Sequence, residues 1–398
     1  MKNKIKELAK KSKHVTALYN RVVRNRKTED VEKIVNQYYP TQGKRIILIG
    51  HSGGLGGAET LLKNMMKEFV RQGIQIVTLV RGDGPIIASY KEIAPTFIID
   101  TPEKNEYYIK SLKKLGYDSA ISNTMTTGDL IPLLHENEIF SVNLIHELPG
   151  VIRLLKCEER AKEIAEHSDL AVFPAKYVRD QFATIAPIHV KEMIQPQGLY
   201  MKYDQFDHEK SRQYMEEKYG IPKDHFIILN VGLGEKRKGF DLFVTMAEKL
   251  QEEDYTFIWV GTLDQEMKST YGDRIHKLKN FVLPGFIGEK ETFMKFYDAC
   301  NLFVLTSRED PFPSVVLEAF NAEKPVIAFL NAGGFQDIVR NDESGYLVAY
   351  EDIDAMIDKM KMLKDDPKLC KKLGKRAKKI CDQHCFQHYI EVLVKACK

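Results

Sequence analysis

Short apolar runs that end in polar loops and continue as helices recur along most of this chain. Residues 44–50 form the first such run, and a glycine-rich loop at 51–60, a helix over 61–72 and another apolar run at 75–80 follow it. Short apolar runs predict buried strands, and strand, loop, helix and strand in this order begin a Rossmann-like unit. The same order returns from residue 226 onward, so the sequence predicts an α/β protein with two Rossmann-like domains.

Size and composition agree with two ordinary globular domains. The chain has 398 residues, of which 43% are hydrophobic and 29% charged. It holds no run of eighteen apolar residues, so no membrane-spanning helix is expected, and its lysine-rich start lacks the apolar core of a secretory signal. Six scattered cysteines fit reduced thiols in the cytoplasm.

The first 27 residues differ in charge from the rest of the chain. They hold ten Lys/Arg and one acid, for +9, whereas the remainder holds 49 basic and 55 acidic residues, for −6. Apolar residues recur at helical spacing between Ile5 and Val22, which leaves most basic side chains on the opposite face. A basic amphipathic helix suits an anionic membrane surface; a helix packed on the protein or a solvated tail is the alternative. Nucleic acid is not expected as a partner, because the segment has a single aromatic residue.

The most informative loop joins a predicted strand over 299–306 to a predicted helix that begins near Pro313. Proline suits the first turn of a helix, because its missing N–H would have no partner there. The free amides of Ser314 and Val315 are then expected to point into the loop, and such amides attract phosphate.

Two carboxylates, Asp310 and Glu318, bracket this predicted phosphate site. Carboxylates repel phosphate, so they are expected to hold sugar or ribose hydroxyls, and phosphate flanked by hydroxyl-bearing rings describes a nucleotide sugar. An ordinary strand–loop–helix with two surface acids is the alternative for this stretch taken alone.

The spacing of these acids, acid-x7-Glu after a strand, resembles the signature of family 4 glycosyltransferases, which are retaining enzymes of GT-B fold. The resemblance implies that Glu318 holds the donor ribose and that Asp310 meets hydroxyls of the transferred sugar, with Phe312 in the same donor loop. Two positions depart from the usual pattern: Asp310 replaces Glu, and Pro313 replaces a common Gly. The donor's identity is therefore open.

The glycine loop of the first half also permits a dinucleotide-binding oxidoreductase, which the sequence argues against. No three glycines fit G-x-G-x-x-G, and the second strand is followed by Arg81 where an acid would hold an adenosine ribose. Gly56 and Gly57, followed by Ala-Glu, instead resemble the glycine motif of family 4 enzymes, whose amides face the donor diphosphate and the acceptor.

Further candidates lie at strand ends, where open α/β sheets bind ligands. The resemblance implies that Lys238 grips the donor phosphates and that His146 lies near the sugar, and the neighbouring Glu147 is a weaker candidate. Leu233 stands where the family often has an arginine, so Arg237 or Lys236 is the expected substitute. The resemblance adds four residues near the base or the diphosphate: Gly285, Phe286, Gly333 and Gly334.

Near the end of the chain, a Cys/His cluster shares one face of a single predicted helix: Cys381, His384, Cys385 and His388. One straight helix cannot wrap four ligands tetrahedrally around a zinc ion, so a packing face is expected. The predicted division of the chain is a basic N-terminal segment, an acceptor-side domain, a donor domain and a C-terminal helix that crosses back to the first domain, at residues 1–40, 41–200, 201–380 and 381–398.

These features and the resemblance together predict two Rossmann-like domains facing a cleft, in a retaining glycosyltransferase that moves a sugar from a nucleotide diphosphate sugar to a hydroxyl of a glycan. The glycan is expected to be lipid-linked, in surface polysaccharide or glycoconjugate synthesis. The catalytic residues are expected to be His146, Lys238 and Asp310. No metal or other cofactor is expected, because cationic side chains would stabilise the leaving diphosphate. The expected location is the cytoplasmic face of the cell membrane. A GT-B nucleotide-sugar epimerase and a non-catalytic GT-B subunit are the alternatives.

Overall fold

The computed structural model describes residues 28–398, and the basic segment over residues 1–27 lies outside the described residues. The first seven strands form one sheet in the order β3-β2-β1-β4-β5-β6-β7, and every strand pair is parallel. The strands are β1 (Arg45–Gly50), β2 (Gln75–Val80), β3 (Thr96–Ile98), β4 (Ser119–Ser122), β5 (Phe140–Leu144), β6 (Leu170–Phe173) and β7 (Glu192–Ile194).

Helices cover both faces of this sheet, which is why its central strands are buried on both sides. The helices of this part are α1 (Val31–Tyr38), α2 (Gly57–Arg71), α3 (Ile87–Lys91), α4 (Pro102–Lys114), α5 (Ile131–Glu136), α6 (Pro149–Leu154), α7 (Glu158–His167) and α8 (Lys176–Ala183). Buried side chains of β1 alternate between the two faces: Ile46 and Leu48 pack on the α2 side, and Ile47 and Ile49 pack on the α4 side.

The second sheet is also parallel throughout and has the order β10-β9-β8-β11-β12-β13. Its strands are β8 (Phe226–Val231), β9 (Tyr255–Val260), β10 (Phe281–Gly285), β11 (Leu302–Leu305), β12 (Val326–Phe329) and β13 (Gly345–Val348). The helices of this part are α9 (His208–Tyr219), α10 (Phe240–Lys249), α11 (Gln265–Lys277), α12 (Lys290–Ala299), α13 (Ser314–Asn321), α14 (Ile353–Asp365), α15 (Pro367–Gln383) and α16 (Phe386–Ala396). The predicted α/β class with two Rossmann-like domains is confirmed.

Strand order reverses once in each sheet, and reversals of this kind are where open α/β sheets bind ligands. The order reverses between β1 and β4 in the first sheet and between β8 and β11 in the second. At such a switch point the loops leaving the two strands diverge, which opens a crevice at the carboxyl edge of the sheet. The loops after β1, β4, β8 and β11 are therefore the ones that can form a cleft.

Hydrogen bonds join the two domains along this cleft. Tyr177 Oη donates to the carbonyl of Asn331 over 2.7 Å, and Gln197 Nε2 donates to the carbonyl of Phe312 over 3.2 Å. A bond at the rim runs from the Gly150 amide to Glu309 Oε1 over 3.1 Å. The loops after β11 and β12 are thus attached directly to elements of the first domain.

The end of the chain differs from the prediction of one helix that carries the Cys/His cluster. Helix α15 ends at Gln383 and α16 begins at Phe386, so His384 and Cys385 lie in the break between two helices. The break forms because the linker backbone pairs with it: the Leu199 amide donates to the carbonyl of His384 over 3.0 Å. Helix α16 then packs on the first domain in the same core cluster as α2.

Some predicted bounds are also wrong at their ends. The strand predicted from residue 299 is shorter, because residues up to Ala299 complete α12 and β11 begins at Leu302. The segment over residues 203–219, between the two sheets, contains the twelve-residue helix α9, whose N-cap Asp207 accepts from the Lys210 amide. Among the helices of residues 28–398, none has the length and apolar character that crossing a bilayer requires.

Candidate active site

Lys238 and Asp310 meet at the switch point of the second sheet. Lys238 lies in the loop between β8 and α10, and Asp310 lies in the loop between β11 and α13. Lys238 Nζ is 2.5 Å from Asp310 Oδ2, and the two side chains are 21% and 5% exposed. Ser307 Oγ also donates to Asp310 Oδ2 over 3.3 Å. The structure therefore brings together two of the three predicted catalytic residues.

The backbone beside Lys238 allows the two loops to approach. Gly239 has φ +71° and is the N-cap of α10, and a Cβ on it would lie 1.9 Å from the carbonyl oxygen of Thr306. Only glycine fits there, because it has no Cβ and it tolerates positive φ. Thr306 Oγ1 donates in turn to the Lys238 carbonyl over 3.1 Å. This close approach holds Lys238 over the end of β11.

Arg237 and Arg308 join the same two loops with charge-assisted hydrogen bonds. Arg237 Nη1 donates to the Glu309 carbonyl over 2.8 Å, and its Nη2 lies 2.5 Å from Glu235 Oε1. Arg308 donates to both carboxylate oxygens of Asp241, over 2.7 and 2.8 Å, and the pKa of Arg308 is raised chiefly by these bonds. These bonds therefore hold the loop between β8 and α10 and the start of α10 against the loop between β11 and α13.

Helix α13 begins where the sequence predicted, with Pro313 as its N-cap. Glu318, the second acid of the acid-x7-Glu signature, lies in this helix and is buried. Tyr297 Oη donates to Glu318 Oε2 over 2.7 Å. Burial raises the pKa of Glu318 to about 6, while the bonds from Tyr297 and Ser314 act in the opposite direction. Tyr200 Oη donates to Ser314 Oγ over 3.1 Å, so the segment that links the two domains contacts the start of this helix.

The remaining donor-side candidates lie at the same edge of the second sheet. Gly333 pairs with Asp310, and a Cβ on Gly333 would lie 1.8 Å from the carbonyl oxygen of Asp310. Gly334 packs directly against Ala175 of the first domain. Of the other two candidates, Gly285 ends the edge strand β10 and Phe286 follows it directly, with 77% of the residue exposed. Phe312 is buried and Val315 is partly buried.

On the first domain, His146 lies two residues beyond β5, beside the loop after β4. Its Nε2 is 3.3 Å from Asn123 Oδ1, and burial lowers the pKa of His146 to about 4. The imidazole is therefore neutral near pH 7. Glu147 folds back to accept from the amides of Met125 and His146 over 3.3 and 3.0 Å and from the Thr124 hydroxyl. Burial raises the pKa of Glu147, whose bonds make it a clamp between two strand-end loops.

The glycine motif begins α2, with Gly56 as the N-cap and Gly57 as the first helical residue. Glu59 of the same motif points back into the loop and accepts from the Ser52 hydroxyl, and His51 Nε2 lies 3.3 Å from Glu59 Oε1. The carboxylate thus orders the loop after β1 and holds His51 near the switch point of the first sheet.

Sequence reasoning missed several residues of this site. Asn123, Tyr297 and Glu309 each contact a predicted residue or the opposite domain through a side chain. Tyr297 lies in a helix that reads as an ordinary amphipathic segment, and only the fold places its hydroxyl against Glu318. A signal was present only for Asn123, which follows the strand β4 directly, at the edge where ligands bind.

No group of three or more His, Cys, Asp or Glu side chains in residues 28–398 is arranged to hold a metal ion. The six cysteines are free thiols, and five of them are buried. The expectation that no metal is required stays a prediction.

Two Rossmann-like domains whose switch-point loops face each other define a protein of GT-B fold. The family Glycosyl transferases group 1 matches residues 211–380, the part that contains Lys238, Asp310 and Glu318. The chain thus contains a glycosyl transferases group 1 domain, and the family resemblance read from the sequence is confirmed.

Solved structures and curated relatives agree with this assignment. The crystal structure of Anabaena HepE in complex with UDP-glucose superposes with a TM-score of 0.76 at 16% identity, covering 89% of this chain and 99% of that one. An alpha-galactosylglucosyldiacylglycerol synthase of Streptococcus pneumoniae is 27% identical over 179 residues, 44% of this chain and 46% of the relative. The capsular polysaccharide biosynthesis glycosyltransferase CapM of Staphylococcus aureus is 28% identical over 187 residues, 46% and 47% of the two chains. The chain thus spans about half the length of the curated relatives it matches.

Proposed function

We propose that the protein transfers a sugar from a nucleotide diphosphate sugar to a hydroxyl of a glycan acceptor, with retention of configuration. The observation that carries the proposal is the Lys238–Asp310 pair, 2.5 Å apart at the switch point of a glycosyl transferases group 1 domain. A cation beside the start of a helix suits a diphosphate, and a buried carboxylate next to it suits sugar hydroxyls.

The donor is proposed to lie along the carboxyl edge of the second sheet. Glu318 would accept from the ribose hydroxyls, Gly285 and Phe286 would border the base, and Gly333 and Gly334 would let the diphosphate approach the backbone. Lys238 and Arg237 would stabilise the charge that develops as the diphosphate leaves, because preorganised cations and amides need no rearrangement at that moment.

The acceptor is proposed to enter from the first domain, between Gly56, Gly57 and His146. With a pKa of about 4, His146 offers a neutral hydrogen-bonding group to a sugar hydroxyl. The leaving phosphate oxygen would take the acceptor proton on the same face of the sugar, which requires no enzymic nucleophile. Asp310 would fix the transferred sugar by its hydroxyls.

We further propose a lipid-linked acceptor at the cytoplasmic face of the membrane. The +9 charge of residues 1–27 supports this, because each Lys or Arg near an anionic surface contributes about 1 kcal/mol. The pneumococcal relative is named as the synthase of a diacylglycerol glycolipid, which agrees with such an acceptor. Deletion of residues 1–27 is expected to weaken vesicle binding and leave donor hydrolysis unchanged.

The test is incubation of the full chain with a panel of nucleotide sugars, with and without lipid-linked and free glycan acceptors. A glycosylated acceptor with the donor's anomeric configuration is the expected product. A new sugar epimer formed without acceptor would identify an epimerase instead. Donor binding without turnover on any acceptor would indicate a non-catalytic subunit.

A further inference from the structure

The C-terminal end of α6 carries four consecutive exposed side chains, which we call the α6 tip: Arg153, Leu154, Leu155 and Lys156. Leu154 is 79% exposed and Leu155 is 49% exposed. The tip is fixed at both sides, because the neighbouring Ile152 and Cys157 are 0% and 3% exposed. Two adjacent leucines held rigidly in solvent leave apolar area that contact with a partner would bury.

The charges of the tip indicate what kind of partner that is. Among the ion pairs of residues 28–398, none involves Arg153 or Lys156, whereas Arg160 and Lys162 of the next helix pair with Asp129 and Glu159. Glu158 is the nearest acid in sequence to Lys156 and is partly buried. Unpaired cations beside exposed leucines complement a surface that is anionic outside and apolar beneath, as an acidic bilayer is.

The position of the tip connects this surface to the candidate active site. The opposite end of α6 lies at the cleft, where the amides of Gly150 and Val151 donate to Glu309 Oε1 over 3.1 and 3.4 Å. A helix of six residues rises about 9 Å. The tip is therefore one short helix from the loop that carries Asp310. Leu55, which is 73% exposed, follows β1 at the same edge of the sheet.

We propose that the α6 tip docks on an anionic bilayer, with Leu154 and Leu155 entering the interfacial region and Arg153 and Lys156 contacting lipid phosphates. This surface is separate from residues 1–27. It rests on the proposed function only in its purpose, which is to bring a lipid-linked acceptor to the first-domain side of the cleft. Docking itself requires no nucleotide sugar.

The experiment is cosedimentation of the full chain with vesicles of equal phosphatidylglycerol and phosphatidylcholine, without nucleotide sugar. Leu154→Ser/Leu155→Ser is expected to lower the partition coefficient about tenfold or more, because it removes the buried apolar area. Arg153→Gln/Lys156→Gln is expected to lower the partition coefficient about fivefold or more at low salt. The effect is expected to be smaller at about 0.5 M salt, because charges are then screened beyond about 4 Å.

A matched control lies at the opposite edge of the first sheet. Lys67 and Val70 are exposed near the C-terminal end of α2, and Lys67→Gln/Val70→Ser removes one cation and one apolar group. We expect its partition coefficient to stay within about twofold of the original, since this edge faces away from the cleft.

Leu154→Trp gives a second measurement that does not depend on the loss of binding. The chain has one tryptophan, Trp259, which is buried in the core of the second domain. A new tryptophan at the tip is expected to shift its emission to shorter wavelength when vesicles are added and to be quenched by brominated lipid.

Unchanged partitioning of both tip variants, or the absence of that emission shift, would overturn the proposal. A change in the sedimentation coefficient of the tip variants with unchanged vesicle binding would show instead that the tip is an interface between proteins. If the tip binds vesicles but no sugar is transferred to any acceptor, the proposed function fails and the docking surface stands.

Discussion

Lys238 and Asp310 form a half-buried ion pair. In the proposed reaction, Lys238 binds the diphosphate and Asp310 binds hydroxyls of the transferred sugar. The lysine has three donors, of which Asp310 uses one, so a diphosphate can be bound without breaking the pair. The pair also restrains the loop between β8 and α10. Activity and folding therefore depend on the same contact and have to be separated by experiment.

Replacing Lys238 by alanine is expected to lower kcat/KM for sugar transfer. The transition state would lose roughly 2–4 kcal/mol of stabilisation, as it does when a preorganised donor is removed. It also leaves the carboxylate of Asp310, which is 5% exposed, without its cation, which destabilises the fold. The double variant Lys238→Ala/Asp310→Asn is expected to regain thermal stability without regaining activity. Lys268→Ala, on the exposed face of α11, is the matched control. Normal turnover of Lys238→Ala would contradict the assignment.

Glu318 gives a prediction about stability and pH. Its pKa is about 6 in the folded protein and 4.5 in the unfolded chain, so the unfolded chain loses this proton at lower pH. The free energy of unfolding of the original protein, relative to that of Glu318→Gln, is therefore expected to fall by roughly 2 kcal/mol as pH rises from about 4 to 7.

Chemical denaturation of both proteins across this range measures that difference. His146 titrates in the same range with the opposite sign, since burial lowers its pKa, but it is present in both proteins and cancels. A difference that does not change with pH would mean that Glu318 is not held in a desolvating site.

At the scale of elements, the relative position of the two switch-point loops of the second sheet depends on close backbone contact between them. Gly239 begins α10 with positive φ and lies against the carbonyl of Thr306, at the end of β11. The loop from β8 to α10 and the loop from β11 to α13 are further joined by the Arg308 amide, which donates to the Arg237 carbonyl over 2.8 Å. The position of Lys238 is therefore set by how two elements pack.

Replacing Gly239 by alanine is expected to lower the free energy of unfolding by roughly 1–3 kcal/mol through backbone strain, with a further cost from displacing Thr306. Donor affinity is expected to fall with it, because Lys238 moves. Gly272→Ala is the matched control: it lies inside α11 with open space at its Cβ, and alanine there is expected to stabilise the helix by about 0.5–1 kcal/mol. Equal effects of the two substitutions would refute the role of the contact.

At the scale of the whole molecule, the domains meet beside the cleft through an apolar cluster with buried residues of both and through a few polar contacts. Glu309 is notable among them because it immediately precedes Asp310 and reaches the amides at the start of α6. A Cβ on Gly150 would lie 2.1 Å from Glu309 Oε2, so the clasp requires a small residue there. The loop that carries Asp310 and the start of α6 are thereby linked across the cleft.

Replacing Glu309 by alanine is expected to weaken this closed arrangement by roughly 1 kcal/mol, about a fivefold change in the ratio of closed to open molecules. The KM for the donor is expected to rise, and the thermal midpoint to change little, since the apolar cluster that the two domains share is unchanged. Energy transfer between dyes on the two domains measures the closure. Glu309→Gln, which still accepts one amide, is expected to fall between the two proteins, and an unchanged distance distribution would argue against the clasp.

The fold class was readable from the sequence, and so was the placing of several candidate residues at the carboxyl edge of the second sheet. Buried parallel strands are apolar along their whole length, so the runs at β1, β8 and β11 were visible without neighbours. The start of α13 was equally local, because a proline and the residues after it decide where a helix begins. Lys238 and Asp310 lie in loops after strands and Glu318 lies in the first turns of α13, and the family resemblance singled out all three.

Only the tertiary structure decided which groups meet. The bond from Tyr297 to Glu318 joins two helices, and the clasp of Glu309 joins residues 159 positions apart, so neither leaves a periodic signal in the chain. The break between α15 and α16 was missed for the same reason: the residues there favour a helix locally, but their backbone bonds are taken by the linker at Leu199. Sequence patterns record local geometry and burial, whereas hydrogen bonds between distant segments, and the pKa values that burial sets, exist only once the domains have packed.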